Sequence, residues 1–196
     1  MRKAIFLDRD GTINEEVNYL KYPEEIRIFP KAVKALHTFK SLGFLNIIIT
    51  NQSGIARGYL SEDDLEKIHN EFRKILKHDG KELIDLIYFS PFHPEGIVEK
   101  YRSDSPDRKP GTGMIEKALK KFNLNLSESF LIGDSYTDIK CAVNAGIKSI
   151  LVRTGYGTRD EKICIDENLK PEYIADDIYE ASEFIRKSLL KEINVI

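Results

Sequence analysis

Only two cysteines, Cys141 and Cys164, occur in 196 residues. Two widely spaced thiols build neither a disulfide framework nor a thiolate metal cluster, and so sparing a use fits a reducing compartment. Cys141 falls in an apolar helical pattern and reads as a core thiol. Long hydrophobic runs are missing too. None approaches bilayer-spanning length, and the N-terminus runs straight into the first predicted strand without the layout of a signal peptide. The expectation is a cytoplasmic protein with no membrane association. An excess of one charge is also lacking: 30 Lys and Arg face 32 Asp and Glu, a net charge of −2 with both signs interspersed. That balance argues against a general nucleic-acid groove or an anionic-membrane surface. No repeat, linker or low-complexity tract divides the chain, and its length suits one core better than two. A single domain over residues 1–196 is expected, as a monomer.

What is present alternates. Apolar runs at Ala4–Leu7, Phe44–Ile49, Leu83–Phe89, Phe130–Ile132, Ile150–Val152 and Tyr173–Ala175 read as buried strands. Between them lie helical patterns. One opens near Pro30, with Ala32, Val33, Leu36 and Phe39 as its stripe and Gly43 as its stop. A second is capped by Ser61 and is expected to run to Gly80. Others cover Met114–Phe122, Asp138–Ala145 and about 178–193. Strands alternating with helices imply a mostly parallel, doubly wound α/β sheet with helices on both faces. Two polar loops are long for simple connections, at residues 14–29 and 90–113, and loops of that length are often functional. The segment after Gly157 carries no catalytic cue and is expected to complete the sheet and its helical cover.

The first strand runs into Asp8-Arg9-Asp10-Gly11-Thr12. If the chain stays extended, Asp8 and Asp10 point the same way, because side chains alternate with a period of two. Crowded carboxylates oppose each other's ionisation, and a hard cation such as Mg²⁺ between them relieves the conflict. One carboxylate could then attack while the other moves a proton. A calcium-binding loop would place Glu at its twelfth position, where this chain has Tyr19. A plain surface turn is the lesser alternative for Asp-x-Asp-Gly on this stretch alone.

Ligands of open parallel sheets bind beyond the carboxyl ends of the strands. Three predicted strand ends carry polar groups: Asp8 with Asp10, Thr50 with Asn51, and Asp134. Arg108-Lys109-Pro110-Gly111 closes the second long loop and opens a helix. Each has a dull alternative: a turn for Thr50 and Asn51, solvated surface for Lys109, a helix cap for Asp134, an exposed carboxylate for Asp138. Gathered at strand ends, they supply the nucleophile, proton carrier, metal ligand and cations that phosphoryl transfer needs.

Asp8-x-Asp10-Gly11-Thr12, Thr50-Asn51, a later lysine and Gly133-Asp134-x-x-x-Asp138 resemble the four motifs of the haloacid-dehalogenase-like phosphatases. More narrowly, Asp-Arg-Asp-Gly-Thr-Ile-Asn, Thr-Asn-Gln-Ser-Gly-Ile-Ala-Arg-Gly and Arg-Lys-Pro-Gly resemble the D-glycero-D-manno-heptose 1,7-bisphosphate phosphatases and their histidinol-phosphatase relatives. The match runs in order from about Ile5 to Gly155. It implies a magnesium-dependent phosphomonoesterase with little or no cap domain, serving heptose supply for bacterial surface glycans such as lipopolysaccharide. By the same resemblance, Asp8 is the nucleophile and Asp10 the acid and base. Mg²⁺ is held by Asp8, the Asp10 backbone carbonyl and Asp134, with Asp138 supporting that shell. Thr50 and Lys109 grip the phosphoryl oxygens. Asn51, Gln52, Ser53, Glu16, Asn18 and Tyr19 line the substrate side, and Arg108 meets its second polar or phosphate end.

One departure matters. Many relatives carry a structural zinc in the second long loop, on a Cys-x-His pair followed by Cys-x-Cys. The corresponding positions here are Ser90, Phe92, Ser105 and Asp107, which cannot form a tetrahedral nitrogen and sulfur site. No zinc is expected, and the loop's prolines are expected to stiffen it instead. A histidinol-phosphatase or another small sugar-phosphate phosphatase remains open as the enzyme alternative. A non-catalytic phosphosugar-binding module is the alternative of another class.

Overall fold

A computed structural model describes residues 1–193 of the chain. Its centre is a six-stranded sheet in the order β5-β2-β1-β6-β7-β8. The strands are β1 (Lys3–Leu7), β2 (Phe44–Asn51), β5 (Leu86–Ser90), β6 (Phe130–Gly133), β7 (Lys148–Val152) and β8 (Tyr173–Ala175). Every neighbouring pair in it is parallel. The helices are α1 (Ala32–Ser41), α2 (Glu62–Ile75), α3 (Gly113–Phe122), α4 (Tyr136–Ala145), α5 (Gly157–Asp166) and α6 (Ile178–Ile193).

Strand alternation sorts the core into two layers. Ile5, Leu7, Ile48, Ile132, Ile150 and Val152 face α1, α2 and α6. Ala4, Phe6, Ile47, Ile49 and Leu131 face α3 and α4, meeting Met114, Ile115, Ala118, Cys141 and Ala142. Both faces are therefore dry, as parallel sheets require. The expected doubly wound architecture is what the chain adopts. Among the described residues, no helix is long and apolar enough to cross a membrane.

Several boundaries differ from the pattern-based expectation. Helix α2 stops at Ile75, not Gly80. Asp79 and Gly80, both at positive φ, instead turn a small hairpin of β3 (Lys77–His78) and β4 (Lys81–Glu82); Asp-Gly is the hairpin signal there, not a helix stop. Strand β5 begins at Leu86 and not at Leu83. Asp85 is the reason: its carboxylate takes the Asn46 backbone N–H at 2.8 Å and is gripped by Lys40 at 2.6 and 2.8 Å. A side chain thus occupies the donor that a longer strand would have paired. Helix α4 starts two residues early, at Tyr136, because Ser135 and Asp138 form a capping box. Helix α5 had no element assigned to it; its buried face is only Gly157, Asp160 and Cys164, too polar a stripe to read as helical.

Asn46 interrupts the apolar run of β2, and it is fully buried. Its Nδ2 donates to Leu36 O and Leu83 O, each at 2.9 Å, tying α1 and the β5 approach to the strand. Asn46→Ala should cost about 3 kcal/mol by removing both of these buried hydrogen bonds. Thermal unfolding should then begin about 6 to 12 °C lower, whereas an unchanged melting temperature would deny the bracket its role.

Candidate active site

The three central strands β2, β1 and β6 end side by side, and the polar residues expected at strand ends lie at their carboxyl edge. Asp8 follows β1, Thr50 and Asn51 finish β2, and Asp134 follows β6. Two connected cavities open there. One, about 130 Å³, is lined by Asp8, Thr50, Lys109, Asp134, Ser135 and Thr137. The other, about 200 Å³, is lined by Asn18, Tyr19, Gln52 and Ser53. Asp10, Glu16, Asn51 and Tyr156 belong to both. A larger hollow, about 510 Å³, opens at the opposite ends of the strands beside Arg2, Lys3 and Lys148; it is remote from the carboxylates.

Lys109 is the hinge of the charge pattern. Its Nζ donates to Asp8 Oδ1 at 2.5 Å and to Asp138 Oδ1 at 2.6 Å, with all three groups buried. Burial alone would lower its pKa, but the Asp138 and Asp8 carboxylates outweigh it and raise the ammonium above its ordinary range. Asn51 holds this residue from behind. Its Oδ1 accepts the Lys109 backbone N–H at 3.0 Å and its Nδ2 donates to Lys109 O at 3.1 Å. Asp138 is no exposed carboxylate. Its other oxygen accepts from Ser135 Oγ at 2.5 Å in the α4 cap.

Asp8, Asp134 and Asp138 bring one carboxylate oxygen each within 4.8 Å of one another. Burial pushes the Asp134 pKa up, and the charges of Asp8 and Asp138 add to the shift. Burial likewise raises Asp8, with Lys109 opposing. Three carboxylates against one ammonium leave a formal deficit of −2. A small hard dication is the ligand that such an all-oxygen set fits. The surrounding backbone is cut to match: a Cβ on Gly11 or on Gly155 would land on the Asp134 carboxylate, and both glycines have positive φ. The Tyr156 N–H donates to Asp134 Oδ2 at 2.8 Å and fixes its orientation.

Asp10 faces the same cavity but is engaged differently. Arg9, the residue between the two aspartates, is fully buried. It donates from Nε to Asp10 Oδ1 at 3.0 Å and from Nη2 to Oδ2 at 2.6 Å. Asn14 and Gln52 each add a bond at 2.9 Å. Although burial pushes the other way, Arg9 and these hydrogen bonds hold the Asp10 carboxyl below its usual range. The strand ends at Leu7, and a tight turn follows in which Arg9 O takes the N–H groups of Ile13 and Asn14. Thr50 Oγ1 accepts from Gln52 Nε2 at 2.9 Å, which leaves its own hydrogen for the cavity.

On the outer side, Glu16 Oε1 accepts the Asn18 N–H at 2.7 Å. Asn18 and Tyr19 are both in the left-handed region, at φ 53° and 76°. A tyrosine held there is strained, and Tyr19 is propped by an edge contact with Tyr59 at 4.8 Å. Arg108 is half-buried beside this rim, donating from Nη1 to Phe92 O at 3.2 Å. Prolines alone do not fasten its loop. Phe92 packs edge-on to Tyr101, Val98 N–H reaches Ala56 O at 2.9 Å, and Asn144 Nδ2 reaches Pro110 O at 2.9 Å. At the positions aligned with zinc ligands, Ser90 is buried, Ser105 Oγ accepts the Asp107 N–H, and Asp107 pairs with Lys117.

Arg9, Ser135, Thr137 and Tyr156 were missed from the sequence. Ser-x-x-Asp at Ser135 was a legible capping box. Arg9 looked like a spacer, and nothing local marks Tyr156.

Arg9 also fixes His69 on α2, with Nη1 3.1 Å from the imidazole Nε2. Burial first, then the Arg9 charge, takes His69 from 6.5 down to about 3. The native state therefore refuses a proton that the unfolded chain accepts. Stability from this group is complete above about pH 6.5 and is lost as pH falls toward 3, by about 1.4 kcal/mol per unit. Urea unfolding at about pH 6.5 and 5 should show the native chain losing roughly 2 kcal/mol more than His69→Gln. Equal losses would place the acid sensitivity elsewhere.

Comparison with known proteins agrees with this geometry. The HAD-hydrolase-like family model matches residues 107–181. The D-glycero-alpha-D-manno-heptose-1,7-bisphosphate 7-phosphatase of Photorhabdus laumondii is 42% identical over 170 residues, covering 85% of this chain and 92% of its own. The D-glycero-beta-D-manno-heptose-1,7-bisphosphate 7-phosphatase of Haemophilus influenzae is 35% identical, covering 95% and 98%. Among solved structures, the D,D-heptose 1,7-bisphosphate phosphatase of B. bronchiseptica, complexed with magnesium and phosphate, superposes with a TM-score of 0.80 at 28% identity, covering 97% of this chain and 99% of that one. With relatives this similar over nearly their whole length, the chain belongs to the family of haloacid-dehalogenase-like heptose-1,7-bisphosphate 7-phosphatases.

Proposed function

We propose that the protein is a magnesium-dependent phosphomonoesterase that removes the 7-phosphate of a D-glycero-D-manno-heptose 1,7-bisphosphate through an aspartyl-phosphate intermediate. The observation that carries this reading is the buried trio Asp8, Asp134 and Asp138 sharing one ammonium, a site two charges short of neutrality. Asp8, Asp134 and the Asp10 carbonyl would hold Mg²⁺, which when bound supplies positive charge against the phosphate oxygens.

The chain's own groups do the rest. Asp8 attacks phosphorus with the oxygen that Lys109 does not hold, and Lys109 opposes the rise that burial imposes on that carboxylate and meets the incoming phosphoryl oxygens. Thr50 donates its free hydrogen to the same group. Asp10 carries the proton: it takes one from a substrate phosphate that arrives as the monoanion, passes it to the leaving alkoxide in the first half, and takes another from the attacking water in the second. In its ionised form it is ready for the second task, and its hydrogen bonds with Arg9, Asn14 and Gln52 aim it. Tyr156, Glu16, Asn18, Tyr19 and Ser53 wall the sugar. The substrate is a small phosphorylated heptose, and the zinc-loop positions contribute no metal ligand.

Asp8→Asn should abolish turnover, a drop of at least about 10⁴-fold, while melting as the native chain does. Wild-type rates in that variant would rule out covalent catalysis by Asp8. Stripping divalent ions should silence phosphate release and Mg²⁺ should restore it, with less than stoichiometric zinc in protein purified without chelator. Assays against heptose 1,7-bisphosphate, histidinol phosphate and other sugar phosphates test the substrate. Equal, slow turnover of all would sink the heptose assignment.

A further inference from the structure

Helix α2 lies outside the catalytic strings, yet its inner face reaches the site. Leu65, Ile68, His69 and Phe72 are its buried residues, and His69 is the polar one among them. The imidazole meets Phe89 of β5 edge-on, with ring centroids 5.9 Å apart. Its Nε2 is the atom that faces Arg9 Nη1, at 3.1 Å. A guanidinium only donates, so Nε2 accepts and the hydrogen of the neutral ring is on Nδ1. Burial and the charges of Arg9 and Arg73 keep a second proton off this ring, with Asp10 opposing.

The Arg9 guanidinium has three corners, and each is occupied. Nε and Nη2 close on the two oxygens of Asp10, and Nη1 goes to His69. Asp10 in turn receives four hydrogen bonds among the described residues, two of them from Arg9 and one each from Asn14 and Gln52. A long side chain held along one edge can still pivot about its Cδ–Nε bond. A grip on the opposite corner stops that swing. This grip adds no charge of its own. A carboxylate at the same corner would divide the Arg9 charge with Asp10, whereas a neutral imidazole accepts the hydrogen bond and leaves the charge to Asp10.

We propose that His69 is a positioning residue for the reaction: it fixes the Arg9 fork, and through the fork it aims Asp10 at the leaving oxygen. The inference rests on the reading of Asp10 as the proton carrier. His69 is not among the residues lining either cavity, so its loss registers in proton transfer and not in substrate binding.

The readout is the ratio of kcat/KM for an alkyl phosphate to that for 4-nitrophenyl phosphate, because an alkoxide needs a proton to leave and 4-nitrophenolate does not. Heptose 1,7-bisphosphate and glycerol 3-phosphate serve as the alkyl esters. Asp10→Asn sets the scale and should lower the ratio about 100-fold or more. His69→Phe keeps a ring against Phe89 but offers no acceptor. It should lower the ratio about 10-fold, through kcat with KM unchanged. His69→Gln, whose Oε1 can stand where Nε2 stood, should keep the ratio within about threefold of wild type. General loosening of the fold would slow both kinds of ester together and leave the ratio as it was. If His69→Phe melts early, His69→Asn, one methylene too short to reach Arg9, carries the test and must show the drop that His69→Gln does not. A wild-type ratio in folded His69→Phe or His69→Asn, beside a collapsed ratio in Asp10→Asn, overturns the positioning role and leaves the proton carrier standing. A wild-type ratio in Asp10→Asn overturns both. If heptose 1,7-bisphosphate is poorly used but the glycerol 3-phosphate ratio falls in His69→Phe, the positioning role stands and the heptose assignment falls.

Discussion

Everything at this site depends on one ammonium placed between two buried carboxylates. Lys109 touches Asp8 and Asp138 at once, and neither charge could remain in so dry a place without it, because an unpaired buried ion is far costlier than a paired one. The bridge also sets distances. Asp8 is delivered by β1, Asp138 by the first turn of α4, and Lys109 by a loop whose backbone is clamped by Asn51 at the end of β2. Three remote stretches are thereby drawn to one point. The strength of the bridge is bounded by its incompleteness, since Asp134 adds a third negative group that Lys109 does not contact. A dication is the partner that would balance the three carboxylates.

A second ion pair works beside the first without merging with it. Arg9 covers both oxygens of Asp10, so the two aspartates of one motif live in different electrostatic surroundings. Asp8 is pressed toward neutrality by burial and by like charges, and Asp10 is held ionised by its neighbour. Groups with opposed environments can take different parts in one reaction although their side chains are chemically the same. The single intervening residue makes that division, and it is among the largest fully buried side chains in the protein.

The architecture was legible because Ala4–Leu7 and Phe44–Ile49 are near-continuous apolar runs, the mark of strands buried on both faces, and each strand ends in residues of a different chemical kind. Asp8, Thr50, Asn51 and Asp134 were visible for the same reason: polar groups stand out at the close of an apolar run; Lys109, in a polar loop, was visible through the Arg-Lys-Pro-Gly string. Arg9 was not, since a lysine or arginine in sequence is ordinarily solvated, and only the fold reveals that Asp10 and His69 enclose it. Tyr156 contributes partly through its backbone N–H, a group that every residue but proline carries and that no composition rule can mark. Gly80 misled because Asp-Gly after a helix serves equally as a stop and as a hairpin turn. Helix α5 escaped because its inward face is made of Gly157, Asp160 and Cys164 rather than aliphatic residues.

The paired glycines around Asp134 carry a further implication. Gly11 belongs to the aspartate motif, but Gly155 lies beyond β7, outside the catalytic strings, and a Cβ there would meet the same carboxylate oxygen as one on Gly11. An inherited change at Gly155 would displace the Asp134 carboxylate while sparing every recognised catalytic block. Surveys of natural variants that score only motif residues would pass such an allele as intact, although it moves a carboxylate at the centre of the site.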